Sequence, residues 1–284
     1  MTIAIASGKG GTGKTMLSAS LVHLLSMSRN VTLLDLDVEE PNAHLFFTLP
    51  VHSEEAVWRM VPEVNMEHCS LCGRCQQVCA FNALVCLEDD ILIFPELCKG
   101  CRGCVALCPD GAMLDGKKMI GMVEVREEGT LRTVTGRLRI GETAVPELIR
   151  EVKKHVRPED DLVVMDAPPG TACAAVEAVR GADYSILVAE STPFGLHDLD
   201  LMVQTMRLLE QPFGVVINKA VSHDTSVHEY CAKEQIDILG VIPADADIAR
   251  ACASGAIVAE AEPDTVRHFD GILSALPLGK EVTV

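Results

Sequence analysis

Residues 7–17 read SGKGGTGKTML, after the apolar run TIAIA at residues 2–6 and before LSASLVHLLSMS at residues 17–28. The second run repeats its apolar residues with the period of a helix, so the stretch is a strand, a glycine-rich turn and a helix. Gly8 to Thr15 fits G-x-x-x-x-G-K-[ST], and the strand and helix around it are the context that makes this pattern a phosphate site. Gly10, Gly11 and Gly13 let successive backbone N–H groups point inward, and the helix N-terminus adds the positive end of its dipole. Lys14 is placed to reach the β- and γ-phosphates of a nucleotide and Thr15 to ligate Mg²⁺. Gly8, Lys9, Gly10, Gly11, Thr12, Gly13, Lys14 and Thr15 are therefore the loop's candidate nucleotide-binding residues. An ordinary turn would explain the glycines but not a Lys-Thr pair opening a helix. The pattern leaves one feature unexplained: a second lysine, Lys9.

Outward from the loop, strand-like runs at residues 3–6, 31–34, 162–165, 185–189, 214–217 and 236–242 alternate with helical segments. That rhythm predicts a doubly wound, mostly parallel α/β sheet covered on both faces. It breaks between residues 62 and 115, where cysteines cluster. Residues 62–115 read as a small α+β insert, with 1–61 and 116–284 forming the core. Beyond it, VEVREEGTLRTVTGRLRI predicts a hairpin turning at Glu128-Gly129, and VPELIREVKKHV a helix returning to the core.

The chain has 284 residues, 48% of them hydrophobic, enough for one large domain with an appendage and a real core. Its first residues form a strand rather than a signal peptide, which points to a cytoplasmic location and to cysteines that act as metal ligands or thiols. No apolar stretch reaches the roughly twenty residues of a membrane span. A net charge of −17 argues against nucleic acid or anionic lipid as partner. Arg132, Arg137 and Arg139 read as a solvated strand face. The stretch VRHFDGILSALPLG, residues 266–279, has an apolar face but no basic one, so it predicts packing on the core rather than a stable membrane anchor.

Cys69, Cys72, Cys75 and Cys79 have the spacing C-x₂-C-x₂-C-x₃-C, and Cys98, Cys101, Cys104 and Cys108 repeat it, ending at Pro109. Two such runs signal two [4Fe–4S] clusters. Zinc also takes four thiolates, but zinc ribbons favour separated C-x₂-C pairs. The runs resemble bacterial two-cluster ferredoxins, apart from Ala80 where proline usually follows the first run. In that arrangement the fourth cysteine of each run crosses over. The resemblance thus implies Cys69, Cys72, Cys75 and Cys108 for one cluster and Cys98, Cys101, Cys104 and Cys79 for the other. Cys86 falls outside the pattern and reads as a small buried hydrophobe.

KGGTGKT, with lysine directly after the first glycine, resembles the deviant Walker A loop of the MinD/ParA/nitrogenase-iron-protein superfamily of P-loop ATPases. The resemblance covers the whole core and accounts for Lys9. It implies that Lys9 reaches the phosphates bound by the other subunit of a nucleotide-sandwich dimer, supplying a cation only after assembly. LLDLDVEEPN resembles switch I, with Asp37 orienting the attacking water and Asp35 nearer the strand end. LVVMDAPPGTA resembles the Walker B strand and switch II, with Asp166 holding the Mg²⁺ shell through water and Gly170 sensing the γ-phosphate. VVINKA places Asn218 where the family reads adenine, and VIPADADI places Pro243 in the adjoining loop. By this resemblance Lys9, Lys14, Asp37 and Asp166 are the catalytic set.

The whole chain looks most like MinD-superfamily ATPases carrying an inserted ferredoxin domain. That implies ATP, Mg²⁺ and two [4Fe–4S] clusters, an ATP-dependent homodimer or a dimer with a close paralogue, and a redox or metal-cluster protein as partner. Because the insert follows switch I, ATP hydrolysis is expected to gate electron transfer from the clusters. The alternative is a MinD/ParA-like switch regulating positioning or cell division, with the clusters as redox sensor or structural element. Cys173, just beyond PPG, raises the idea of a third, bridging cluster, against the default of a small packed thiol. His197 reads as a structural histidine early in a helix.

Overall fold

The computed structural model describes residues 1–221, 223–261 and 265–278. Its strands are β1 (Thr2–Ala6), β2 (Val31–Asp35), β3 (Val51–Val64), β4 (Leu84–Cys86), β5 (Ile91–Ile93), β6 (Met113–Glu128), β7 (Leu131–Leu138), β8 (Leu162–Asp166), β9 (Tyr184–Glu190), β10 (Phe213–Ala220) and β11 (Ile238–Pro243). The main sheet has the order β11-β10-β9-β1-β8-β2-β7-β6-β3. β1 runs parallel to β8 on one side and to β9 on the other, and β10 lies parallel to β9 and β11. β2 is parallel to both β8 and β7. The chain therefore winds outward in both directions from β1, the doubly wound topology the alternating runs predict, and it is at the carboxyl ends of such strands that ligands bind.

Burial follows from this placement. β2 and β8 are buried along their whole length, and their only ionisable residues, Asp35 and Asp166, stand at their carboxyl ends as register partners. Two carboxylates in a dry sheet edge are costly unless something charged or hydrogen-bonding meets them. Over the sheet lies the helix Lys14–Ser26, whose Leu17, Leu21, Val22 and Leu25 share one core with Phe269, Ile272 and Leu273 of the helix Val266–Ala275. That last helix packs on the core as expected; Gly279, the end of the stretch, lies outside the described residues. The predicted hairpin is β6 and β7, joined across Gly129, which has φ +60°. The basic face is not wholly solvated. Arg137 and Arg139 are exposed, but Arg132 is buried, donating to His155 O at 2.6 Å and facing Glu127 at 3.5 Å.

The chain divides into two compact units. The first comprises Met1–Glu54, Val123–Arg137 and Val145–Val284; the second comprises Glu55–Met122 and Leu138–Ala144. The second contains the antiparallel pair β4–β5 and two short helices, Arg74–Val78 and Gly103–Ala106, around Val61, Cys75, Ala83, Leu84, Ile91, Cys98, Cys104 and Met113. A buried ion pair, Arg59 with Glu142 at 3.6 Å, belongs to the same unit. Residues 62–115 fall inside it, together with parts of β3 and β6 that carry no clean alternation in the sequence.

Candidate functional site

The phosphate loop is held open by its neighbours. Gly13 has φ +93°, and a Cβ there would overlap Asn218 Nδ2; a Cβ on Gly8 would overlap the Asp198 carbonyl. Both positions admit only glycine because other backbone or an amide already fills the space. Asn218, buried near the end of β10, donates to Thr12 O at 2.7 Å, and Lys219 next to it donates to Gly11 O at 2.6 Å. Two consecutive residues of one strand thus brace two consecutive carbonyls of the loop.

A cleft of about 870 Å³ opens over the loop. It is lined by Gly10, Gly11, Gly13, Lys14, Thr15, Asp37, Asn218 and Pro243, all singled out from sequence, and by Glu40, Asn42, Pro169, Lys219, Asp245 and Cys252, which were not. One floor for phosphate, one wall for a base and a carboxylate between them suit a nucleoside triphosphate. Gly8, Lys9, Thr12, Asp166 and Gly170 stand outside the lining. Gly170 N donates to Ser7 O at 2.9 Å.

Ser7, before the first glycine, is a junction the motif does not mention. Lys14 Nζ donates to its hydroxyl at 2.8 Å, and that hydroxyl donates to Lys9 O at 2.6 Å. Ser7 also receives Gly170 N, so it ties both lysines of the loop to the segment after β8. Asp166 is likewise held from the loop helix. Ser18 Oγ donates to its Oδ1 at 2.9 Å, and the Thr15 hydroxyl also bonds to it. Asp35 has a different role from Asp37. Its carboxylate accepts from Asn42 N and Ala43 N at 2.9 Å and from Asp37 N at 3.2 Å, shaping the loop that presents Asp37 to the cleft.

The electrostatics are unbalanced towards negative charge. Burial raises Asp166 to about 6, against the bonds from Thr15 and Ser18 and the nearby Lys14. Burial also raises Asp37, opposed by Lys14, and holds Asp35 well above the carboxylate range, with Asp166 adding to the effect. Burial lowers Lys14, against Asp166 and Asp37. Asp37 and Asp166 share the one ammonium of Lys14, with Asp35 adding its charge to that of Asp166. Two carboxylates on one cation are what a dication would relieve, and hard oxygen donors suit Mg²⁺. Among the described residues no cluster of three His, Cys, Asp or Glu side chains stands where one ion could be held. Mg²⁺ at nucleotide sites takes only one or two protein carboxylates and completes its shell with phosphate and water.

Lys9 points elsewhere. Its Nζ lies 2.7 Å from Glu190 Oε2, and Glu190 Oε1 lies 2.6 Å from Lys219 Nζ. Glu190, at the end of β9, has no signature in the sequence.

In the cysteine unit Cys69, Cys72, Cys75 and Cys108 line one cavity, with Pro109 and Asp110 beside them. Burial alone would raise the Cys108 thiol, but backbone N–H groups of Met113, Asp110 and Ala112 hold it below the ordinary range, whereas burial pushes the Cys104 thiol up and pushes Cys75, with Cys86 beside it, up to about 12. Ala83 N donates to Cys79 Sγ at 3.3 Å and Gly100 N to Cys98 Sγ at 3.4 Å, and Cys101 Sγ lies beside Gly103. The cavity measures only about 10 Å³, room for one water rather than for a cluster. The cysteine sulfurs, like the carboxylates, form no group of three around a single ion position among the described residues. The N–H donors aimed at sulfur are what suits a thiolate, whose charge needs hydrogen bonds. Cys86 is only half-buried, with its sulfur 3.7 Å from that of Cys75, so it is not the enclosed hydrophobe its apolar surroundings predict. Cys173 is exposed at the start of the helix Cys173–Val179, rather than packed. His197 is exposed in the helix Pro193–Leu208. Among the described residues no helix is long and apolar enough to cross a membrane.

Comparison with known proteins agrees with the cleft. The model of the CobQ/CobB/MinD/ParA nucleotide binding domain matches residues 3–258. An uncharacterized protein of Methanocaldococcus jannaschii is 31% identical over 221 residues, 77% of this chain and 78% of that one. The septum site-determining protein MinD of Bacillus subtilis is 24% identical over 266 residues, 90% of this chain and 81% of that one. Among solved structures, MinD of Pyrococcus horikoshii OT3, complexed with Mg-ADP, has the same fold at a TM-score of 0.60 and 19% identity, over 96% of this chain and 94% of that chain.

Proposed function

This chain belongs to the CobQ/CobB/MinD/ParA family of nucleotide-binding domains, and from that premise we propose that it is an ATP-hydrolysing switch of the MinD/ParA kind that dimerises on Mg-ATP and regulates a protein partner. The observation that carries this reading is the single cleft in which Lys14, Thr15, Asp37, Asn218 and Pro243 meet. Lys14 and the loop amides bind phosphate, Asn218 and Pro243 border the base, and Asp37 orients water for attack on the γ-phosphate. Thr15 and, through water, Asp166 would hold Mg²⁺, which would supply positive charge opposite the transferring phosphoryl group. Lys9 completes the site of a second copy. The family supports ATP-dependent switching more directly than it supports electron transfer.

The cysteine unit enters this scheme as a second element. Its two ligand sets, Cys69, Cys72, Cys75 with Cys108 and Cys98, Cys101, Cys104 with Cys79, hold two [4Fe–4S] clusters in this proposal. When bound, the clusters supply one-electron redox chemistry, through which the switch senses redox state. One observation favours the second reading, ATP-gated electron transfer to a protein acceptor: Cys72 and Cys101, one from each set, are exposed, which gives each cluster a short path to a partner. Anaerobic reduction, followed by reoxidation by candidate acceptor proteins with Mg-ATP, Mg-ADP or neither, separates the two. A nucleotide-dependent rate supports electron transfer; a rate indifferent to nucleotide, together with ATPase activity that changes with cluster oxidation state, supports the sensor.

A further inference from the structure

Glu190 faces two lysines at once. One carboxylate oxygen is 2.7 Å from Lys9 Nζ and the other 2.6 Å from Lys219 Nζ, and the Glu190 side chain is only 14% exposed. The two lysines are not equivalent. Lys219 has a second partner in Gly11 O and lines the nucleotide cleft. The Lys9 ammonium has no other hydrogen bond or ion pair among the described residues, its side chain is 32% exposed, and it does not line the cleft although Gly10 and Gly11 beside it do. In the single chain, then, the first lysine of the loop is tethered away from its own cleft.

We propose that Glu190 is a positioning residue that parks Lys9 outside its own cleft and releases it to the phosphates of a second copy of this chain, while Lys219 keeps the carboxylate paired. The inference rests on the sandwich-dimer reading above and adds a partner exchange to it. Breaking one pair of a buried charge is costly when it leaves the other charge alone. Here Lys219 remains within hydrogen-bond distance of Glu190, so departure of Lys9 strands nothing. A partly exposed ammonium leaves one carboxylate for a triphosphate of higher negative charge, so the exchange runs forward only where a second nucleotide is presented. The tether opposes association by about two- to fivefold, the range of a partly exposed ion pair.

The test measures self-association of the full chain by sedimentation velocity with Mg²⁺ and a non-hydrolysable ATP analogue, for the unmutated protein, Glu190→Gln, Glu190→Asp, Lys9→Ala and the Lys9→Ala/Glu190→Gln double variant. Nucleotide affinity is measured separately on dilute monomer. The expected result is tighter association of Glu190→Gln by about two- to fivefold, near-unmutated behaviour of Glu190→Asp, and no gain from Glu190→Gln when Lys9 is already alanine. If Lys9→Ala fails to dimerise but Glu190→Gln associates no better than the unmutated chain, the tether is wrong and the dimer stands. The tether is equally overturned if Glu190→Gln gains as much in the Lys9→Ala background, or if its gain is fully explained by tighter nucleotide binding of the monomer. If Lys9→Ala dimerises like the unmutated chain, the sandwich reading itself has failed.

Discussion

Ser18 Oγ donates a 2.9 Å hydrogen bond to Asp166 Oδ1, joining the loop helix to the end of β8 across 148 residues of chain. Both side chains are buried, so the bond fixes the helix that carries Lys14 and Thr15 against the strand that carries Asp166. A hydrogen bond to a charged, buried acceptor is worth about 1.5–3 kcal/mol, and its loss leaves the carboxylate short of a partner. Ser18→Ala should lower stability by about 1–3 kcal/mol in urea unfolding at pH 8. A change within experimental error would show that the bond does not hold the helix.

Asp166 gives the nucleotide-free protein a defined pH dependence. Burial raises its pKa from 3.8 to about 6 in the folded state. Between those values the folded chain binds more protons than the unfolded chain, so this contribution to stability is full below about pH 4 and is lost as pH rises through about 6. Asp35, raised in the same sense, adds to the slope. Urea midpoints of metal-free protein should fall over this window, and Asp166→Asn should flatten the fall. Parallel curves for the two proteins would exclude Asp166 as the source.

The two loop lysines should fail differently. Lys14→Ala removes a cation from the chain's own phosphate cradle and should weaken ATP binding by about ten- to a hundredfold, the worth of a charged hydrogen bond. Lys9→Ala should bind ATP nearly normally yet neither dimerise nor hydrolyse it. Asp37→Ala should keep the dimer with ATP trapped, because phosphate contacts remain while the attacking water is poorly oriented. Equilibrium binding, sedimentation and phosphate release on the same three proteins distinguish these outcomes.

The two C-x₂-C-x₂-C-x₃-C runs make a prediction about metal content. Anaerobically prepared protein should hold about eight iron and eight sulfide per chain, two cubanes' worth. Cys108→Ser should damage the cluster on Cys69, Cys72 and Cys75, leaving about four iron. Stoichiometric zinc without sulfide would end the cluster assignment, and selective loss of the other cluster would reverse the ligand sets.

How much of this was legible in the sequence depends on how local each signal is. The loop and its helix are read from residues a few positions apart, because backbone curvature sets their spacing directly, and the cysteine runs are equally local as a pattern. Asp37, Asn218 and Pro243 were placed by resemblance, and the cleft brings them together. Ser7, Ser18, Lys219 and Glu190 were not found. Ser7 bonds within the loop through a hydroxyl the motif does not specify. The other three act through partners supplied by strand order: Glu190 meets Lys9 only because β9 lies beside β1, and Lys219 reaches Gly11 only from the end of β10. Arg132 misled because alternation marks a strand's two faces without saying which one another element covers. Cys86 was read in part: it packs against the small core of its unit, as its apolar neighbourhood predicts, but is only half-buried there.

The central claim is that nucleotide state controls assembly, and sedimentation velocity of the full, unmutated chain tests it most directly. With Mg²⁺ and a non-hydrolysable ATP analogue the chain should sediment as a dimer, and with Mg-ADP as a monomer at the same protein concentration. The same oligomeric state under both nucleotides, whether monomer or dimer, would contradict the account.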